Sequence, residues 1–211
     1  MLRYVLAAWL VASATAATAQ DLVITNARIL DAATDIARGA IVIEDGRIVT
    51  VTAGAIDARG KATLDAGGRT VLPGYIDAHR HIINGNAEQW FREQSVARMQ
   101  EFLDAGFTTL MSGGGPMPGI LELKRRIDAG ELKGPRVITS GRADPASFKT
   151  VEDARAAVRA LAAAGVEIVK ASVTPAEKDM LAAIVAEARE HDLDVMVHAV
   201  TAPAMVAAVE A

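Results

Sequence analysis

The chain has 211 residues, of which 22 are Lys or Arg, 26 are Asp or Glu, four are His and none is Cys. Hydrophobic residues make up 51% of it, which excludes an intrinsically disordered protein. The net charge of −4, without a basic stripe, argues against a nucleic-acid partner. Aromatic residues are only 4%, and the abundant Ala, Val, Ile and Leu favour helices packed on a parallel sheet.

Residues 1–19 have the pattern of a secretory signal peptide. Arg3 supplies a positive charge, an apolar run follows at 4–12, and Ala-Thr-Ala at 17–19 fits the small-residue cleavage pattern. The apolar run is shorter than the ~20 residues that a transmembrane helix needs. We therefore expect an exported protein, periplasmic or secreted, with no stable membrane span after signal cleavage.

Residues 20–72 have the pattern of short β-strands. Asp45-Gly46 lies between two β-branched runs, which indicates a hairpin because its tight turn needs positive φ at both central positions. Asn26 separates two further β-prone runs. About 50 residues of short strands are few for an independent β domain, so we expect this segment to join strands from elsewhere.

Residues 73–211 alternate between short apolar strands and Ala-rich helices. The predicted strands are 75–78, 107–111, 136–140, 166–171 and 193–197. The predicted helices are 87–105, 120–129, 151–164, 175–191 and 203–211. Because no hairpin signal joins the strands, the alternation predicts parallel strands with right-handed crossovers, in either a doubly wound sheet or a (β/α)8 barrel. The glycines at 113–115 indicate a turn rather than a phosphate-binding loop, since no Lys-Ser/Thr follows them.

Four polar residues lie at or near the carboxyl ends of these predicted strands. His79 and His81 are two residues apart, so their side chains share one face and could hold a metal ion. Lys170 lies in an apolar strand, where burial should lower its pKa and let its amine react with carbon dioxide, giving a carbamate able to bridge two metal ions. His198 ends the fifth strand. The ordinary alternatives are solvated or core histidines and an ion-paired lysine.

Three further residues are assigned lesser roles. Arg80, between the two histidines, should point to the opposite side of the strand. Asp77 shares the histidine side and is a candidate for a supporting hydrogen bond. His191 lies near a helix C-terminus, where a favourable interaction with the helix dipole is the better interpretation.

In several segments the sequence resembles the amidohydrolase superfamily. Residues 71–81, Val-Leu-Pro-Gly-Tyr-Ile-Asp-Ala-His-Arg-His, resemble its entry into the barrel, Leu-Pro-Gly-hydrophobic-Ile-Asp-x-His-x-His. Residues 165–170 resemble the Lys-bearing fourth strand of its prolidase- and imidazolonepropionase-like branches, and residues 195–199 resemble its fifth strand. The strands around residues 44–48 resemble its small β-sandwich, which is built from both chain ends.

The resemblance implies an α/β fold. Residues 73–211 would form about five βα units, the N-terminal part of a (β/α)8 TIM barrel, and residues 20–72 the N-terminal part of a composite β-sandwich. It also implies a metal-dependent hydrolase that acts, through metal-activated hydroxide, on a non-peptide C–N bond or on a small amide or dipeptide.

The resemblance also implies roles for the four polar residues. His79 and His81 would bind the more buried of one or two divalent metal ions, with zinc expected. Carboxylated Lys170 would be the catalytic residue and bridge the ions, and His198 would bind the second one. The partner would be a small-molecule substrate, and a homo-oligomer is left open.

The chain departs from the family pattern, which also requires a His after the sixth strand and an Asp after the eighth. Neither can be assigned before Ala211. The 139 residues from Pro73 onward contrast with the ~250 of a complete barrel, so we expect an inactive fragment of a longer enzyme. The alternatives to a hydrolase are an inactive amidohydrolase fragment, which misfolds or serves as a binding partner, and a non-catalytic exported α/β protein.

Overall fold

The computed structural model describes residues 21–211, so the predicted signal peptide lies outside the described residues. The chain divides into two compact units, and the division falls between Pro73 and Gly74. Within residues 21–211, no helix is both long enough and apolar enough to cross a membrane.

The first unit is a five-stranded sheet with antiparallel and parallel pairs. Its strands are β1 (Leu22–Leu30), β2 (Asp35–Glu44), β3 (Arg47–Ala53), β4 (Ala62–Asp65) and β5 (Thr70–Val71). Their order is β3-β2-β1-β4, and β5 also pairs with β1. The antiparallel β2–β3 hairpin turns at Asp45 and Gly46, whose φ values are 50° and 72°. The hairpin predicted from the Asp-Gly pair is therefore confirmed.

β1 is a single strand where the sequence predicts two short runs. Asn26 has a φ of 52°, and the register with β2 shifts between Ile24 and Ala27, so the separating residue lies in a bulge rather than in a turn. Its side-chain amide donates a hydrogen bond to Asp65 Oδ1 on β4 at 3.0 Å, which ties the bulge to the neighbouring strand. One buried apolar cluster of this unit consists of Ala27, Ile29, Ile41 and Ala66.

The second unit alternates strands with helices. Its elements are β6 (Tyr75–Arg80), α1 (Ala87–Glu93), α2 (Ser95–Asp104), β7 (Phe107–Ser112), α3 (Met117–Asp128), β8 (Arg136–Ile138), β9 (Ser140–Arg142), α4 (Val151–Ala163), β10 (Ile168–Ser172), α5 (Lys178–Glu190), β11 (Asp194–His198) and α6 (Ala202–Glu210). The strands pair in the orders β6-β7-β8 and β9-β10-β11, and each of these pairs is parallel. The fold is therefore mixed α/β, as the alternation predicts.

The predicted helix at 87–105 is two helices, α1 and α2, separated at Gln94. Gln94 has φ −128° and ψ −27°, outside the helical range. The hydroxyl of Ser95 donates to the carbonyl oxygen of Phe91 at 2.8 Å. A serine that bonds back to a carbonyl four residues earlier competes with the backbone and bends a helix, which accounts for the break.

Thr139 divides the strand predicted at 136–140 into β8 and β9. Thr139 is fully buried, and its backbone N–H and its hydroxyl both donate to Glu167 Oε2, at 2.8 and 3.0 Å. A side-chain carboxylate therefore accepts the hydrogen bond that a neighbouring strand would otherwise accept. The sheet ladder is interrupted at this residue without leaving its N–H unpaired.

The alternation of side chains on β10 determines the direction in which Lys170 points. Val169 is buried in an apolar cluster with Val158 of α4 and Ile184 of α5. Successive side chains of a strand point to opposite faces, so Lys170 points away from these helices. The capping box at Thr150 and Asp153, with both reciprocal hydrogen bonds at 3.1 Å, fixes the start of α4 behind this strand.

Candidate metal centre

The four predicted ligands lie on, or directly after, three strands of the second unit. His79 belongs to β6 and His81 follows this strand directly. Lys170 is the central residue of β10, and His198 is the last residue of β11. Because the strands of each sheet are parallel, the carboxyl ends of paired strands lie at the same edge.

His79 and His81 present their rings side by side. The ring centroids are 5.7 Å apart, and the angle between the ring planes is 24°. Arg80, between them, places its guanidinium 5.0 Å from the ring centre of Phe102 on α2. The spacing therefore places both imidazoles together and directs Arg80 toward the helix, as the alternation of side chains predicts.

Lys170 lies beside the first histidine. Its Nζ is 3.5 Å from His79 Nε2, and the residue is only 3% exposed. Within the described part of the chain, its amine forms no ion pair with a carboxylate; the nearby Asp144 is instead paired with Arg142. A buried amine without a carboxylate partner favours its neutral form.

The electrostatics favour neutral nitrogen atoms at this site. Burial lowers the pKa of Lys170 from its ordinary value of 10.5, and the positive charge of Arg142 lowers it further, against the opposing effect of Asp144. Desolvation is also the largest cause that lowers the pKa of His79, followed by the positive charge of Lys170. Neutral imidazole and neutral amine are the forms that can bind a metal ion or react with an electrophile.

Asp77 hydrogen-bonds to the backbone of His79 rather than to its imidazole ring. Its Oδ1 accepts a hydrogen bond from the backbone N–H of His79 at 3.0 Å. The supporting hydrogen bond expected for Asp77 therefore forms, but it fixes the end of β6 instead of orienting the imidazole. His191, assigned to a helix end, is the C-cap residue directly after α5, with its Nε2 3.4 Å from Glu187 Oε1.

Two glycines directly after β7 provide the space for the imidazole rings. A Cβ atom on Gly113 would overlap the His79 ring and lie 2.5 Å from its Nε2. A Cβ atom on Gly114 would lie 3.3 Å from His81 Cε1, and Gly114 also has a φ of 145° that favours glycine. The sequence analysis predicts only a turn at these glycines. The signal that could have indicated their contact with the imidazole rings is a run of glycines at the carboxyl end of a strand.

His198 lies one strand further along. Its register partner on β10 is Ser172, two residues beyond Lys170, and its charge is near enough to lower the pKa of His79. It also lines a cavity of about 400 Å³ together with Ser147 and Val200. Across residues 21–211, no three His, Cys, Asp or Glu side chains converge closely enough to hold a metal ion. The structure thus brings His79, His81 and Lys170 together and leaves His198 beside them.

A polar cluster that the sequence did not reveal flanks Lys170. Arg142 ends β9 and is the register partner of Lys170. Its Nε and Nη2 both donate to Asp144 Oδ2, at 2.9 and 2.6 Å, and Nη2 also donates to Ser172 Oγ at 3.3 Å. Asp144 Oδ1 accepts from the backbone N–H of Ser172 at 2.8 Å. The one sequence signal that could have placed Arg142 beside Lys170 is its position at the end of a strand.

Comparison with known proteins identifies relatives of the second unit. The sequence profile of the amidohydrolase family matches residues 70–211. A dihydroorotase from Methanothermobacter thermautotrophicus is 34% identical over 122 residues, 56% of this chain and 26% of that protein. An imidazolonepropionase from Klebsiella pneumoniae is 30% identical over 127 residues, 56% of this chain and 29% of that protein.

Among solved structures, a candidate prolidase from Bifidobacterium longum is similar, with a TM-score of 0.76 and 27% identity. The similarity covers 91% of this chain and 52% of that chain. The matched segments thus span under a third of the two curated relatives and about half of this solved structure. Since the family profile matches well over half of the sequence, including His79, His81, Lys170 and His198, the chain belongs to the amidohydrolase family.

Proposed function

We propose that this protein is a metal-dependent amidohydrolase that hydrolyses the C–N bond of a small amide. The observation that carries the proposal is the buried Lys170, with its Nζ 3.5 Å from His79 Nε2, beside a stacked pair of histidines. In this proposal, residues 73–211 supply five βα units of a (β/α)8 barrel and residues 20–72 contribute to a composite β-sandwich. The family match and the similarity to the candidate prolidase support this arrangement.

The donor chemistry of the site fits a divalent metal ion. His79 and His81 offer imidazole nitrogens, and the lowered pKa of His79 keeps its ring in the neutral form that binds metals. The neutral amine of Lys170 can attack carbon dioxide: a bond forms between Nζ and carbon, one C=O electron pair moves to oxygen, and the nitrogen passes a proton to water. The carbamate that results supplies two carboxylate-like oxygens. Nitrogen and carboxylate ligands together suit zinc.

Each residue would then have one task. His79 and His81 would bind one metal ion, the Lys170 carbamate would bridge it to a second, and His198 would bind the second. When bound, the metal supplies Lewis acidity that polarises an amide carbonyl and makes water a stronger nucleophile. Because Gly113 has no side chain, the His79 ring can occupy the space beside it.

Replacing Lys170 tests the proposal directly. We expect the wild-type chain to bind one or two zinc ions, and the Lys170→Ala and Lys170→Met variants to lose most of this zinc, as measured by elemental analysis. Carbon-13 NMR with labelled bicarbonate should show a carbamate signal in the wild type that both variants lack. Lys133→Ala, at an exposed position, is the control and should keep the zinc.

Two outcomes would refute the proposal. Unchanged zinc content in both Lys170 variants would remove Lys170 from the site. A wild-type chain that binds no zinc, manganese, cobalt or iron would favour the non-catalytic α/β alternative. Hydrolysis is measured on the longer parent enzyme that the sequence pattern predicts, with a panel of linear and cyclic amides, and loss of turnover in its Lys170→Met variant, with a similar side-chain length, would link the metal to the reaction.

We also propose that the protein is exported to the periplasm or secreted. The support is the sequence pattern of residues 1–19, with the cleavage pattern at 17–19. N-terminal sequencing of the protein recovered outside the cytoplasm should begin at Gln20. Recovery of all the protein from the cytoplasm with Met1 intact would refute export.

A further inference from the structure

The strands that carry His79 and Lys170 belong to two separate sheets of the second unit. β6 bears His79 in the sheet β6-β7-β8, and β10 bears Lys170 in the sheet β9-β10-β11. The pairing within either sheet therefore does not fix the 3.5 Å distance between His79 Nε2 and Lys170 Nζ. This distance depends on how the two sheets are held against each other. The chain passes from the first sheet to the second at Thr139, between the end of β8 and the start of β9.

Glu167 and Thr139 bind each other reciprocally at this junction. The backbone N–H groups of Glu167 and Ile168 both donate to the carbonyl oxygen of Thr139, at 3.1 and 3.0 Å. In return, the backbone N–H and the hydroxyl of Thr139 donate to Glu167 Oε2, at 2.8 and 3.0 Å. Both backbone polar groups of the buried Thr139, and its hydroxyl, are thus bound to residues 167–168. Buried backbone groups must keep such partners, so the junction has one preferred arrangement.

The same pair determines where Lys170 falls along β10. Lys170 follows Glu167 by three residues and Arg142 follows Thr139 by three, and Lys170 and Arg142 are register partners. The β9–β10 ladder therefore begins at the junction and reaches Lys170 after about 10 Å of strand. A slip of one residue in this ladder would turn the Lys170 side chain to the opposite face of the sheet. The contact at residues 139 and 167 holds the ladder in register.

Helix α3 attaches to the same carboxylate from the side of the first sheet. Lys124 Nζ donates to the carbonyl oxygen of Val137 on β8 at 3.3 Å, and it lies 3.8 Å from Glu167 Oε1. Lys124 thus joins β8 to the residue that directly precedes β10. A second link between the sheets is a single hydrogen bond of 3.4 Å from Ser140 Oγ to Ser112 Oγ. Glu167 makes more hydrogen bonds across the junction than this link does.

We propose that Glu167 is a positioning residue of the candidate metal centre. Its carboxylate joins the sheet of His79 to the sheet of Lys170, and it thereby holds Lys170 Nζ against the His79 ring. Glu167 acts through the position of β10, because its side chain binds Thr139 and Lys124 and neither of the two ligand residues. The inference rests on the proposed amidohydrolase function for the role of the metal, but the position of Lys170 is measurable without metal.

The test replaces Glu167 with Ala and with Gln. In the metal-free protein, NMR should show nuclear Overhauser contacts between the Lys170 side chain and the His79 ring in the wild type. Glu167→Ala should lose these contacts. Glu167→Gln keeps an oxygen that can accept from Thr139, so it should retain them. With zinc added, we expect the dissociation constant of Glu167→Ala to rise about 10-fold or more, and that of Glu167→Gln to stay close to the wild-type value.

Thr150→Ala is the matched control for lost stability. It removes the hydroxyl that accepts the N–H of Asp153 at the start of α4, on the helical side of the same unit. Its melting temperature should fall, whereas its Lys170–His79 contacts and zinc affinity should not change. If Glu167→Ala does not fold, Glu167→Asp takes its place. Its carboxylate is one methylene shorter and cannot reach Thr139 from the same backbone position, so this variant should also lose the contacts.

Two results would overturn the positioning role. One is a Glu167→Ala protein, or the Glu167→Asp protein in its place, that keeps the Lys170–His79 contacts of the wild type. The other is a Thr150→Ala protein that loses them as well, because the effect would then follow from stability alone. A wild-type chain that shows the contacts but binds no metal ion and forms no carbamate contradicts the proposed amidohydrolase function and leaves the role of Glu167 standing.

Discussion

Replacing Gly113 with Ala tests how closely the backbone after β7 fits the first histidine. The new Cβ atom would overlap the His79 ring, so either the ring or the backbone must move. The Gly113 backbone itself does not require glycine, because its φ lies outside the left-handed region. The effect of the substitution is therefore steric, and it falls on the ring that lies 3.5 Å from Lys170 Nζ.

The magnitude follows from these contacts. Inserting a methyl group into a filled site costs roughly 1–3 kcal/mol of the free energy of unfolding. At about 2–4 °C per kcal/mol for a chain of this size, the melting temperature should fall by several degrees. Displacement of His79 moves one of the proposed zinc ligands, and disturbing the support of a metal ligand typically weakens binding about 10- to 100-fold. We expect Gly113→Ala to show both effects.

Thermal unfolding and zinc titration of the purified chain measure the two effects. Gly134→Ala is the matched control, because its Cβ atom would also meet side chains, Ile127 and Met99 at 3.1 Å, away from the histidines. The control should lose stability without losing zinc affinity. If Gly113→Ala binds zinc as tightly as the wild type, then the His79 ring either does not occupy this position or does not bind the metal.

Two further predictions concern the support of the fold. Glu167→Ala leaves the buried N–H and hydroxyl of Thr139 without their acceptor, so urea unfolding should show a loss of roughly 1–3 kcal/mol, and a loss below 0.5 kcal/mol would contradict the assigned role. Hydrogen bonds from Arg125 and Arg126 lower the pKa of Glu122 from 4.5 to about 2. This carboxylate stabilises the folded state above pH ~4.5 and loses that effect as the pH falls toward ~2. The free energy of unfolding measured in urea should therefore fall more steeply over this pH window for the wild type than for Glu122→Gln. Parallel pH profiles of the two proteins would contradict this role.

Elements with strong local signals were predicted well. The Asp45-Gly46 hairpin forms because both residues adopt the positive φ that its turn needs, and Thr150 caps α4 because its hydroxyl accepts the N–H of Asp153. These preferences act within a few residues, so a sequence pattern contains them. The parallel pairing of the strands follows from the same kind of signal, the absence of hairpins between strands that alternate with helices.

The interruptions of the elements were not predictable in this way. The break at Thr139 exists because Glu167, which directly precedes β10, supplies the acceptor for its N–H. The bulge at Asn26 is tied to Asp65 on a neighbouring strand. Both depend on partners distant in sequence, and neither residue type by itself indicates that such a partner will be present.

For the candidate site, the sequence by itself determined which residues can take part. The two-residue repeat of a strand places His79 and His81 on one face, and a lysine in an apolar strand implies a buried amine with a lowered pKa. Only the tertiary structure decided that Lys170 meets His79, a residue 91 positions away, and that Arg142 is the register partner of Lys170. The physical reason is that the periodicity of a strand fixes the direction of a side chain, whereas the register and packing of separate strands fix which side chains meet.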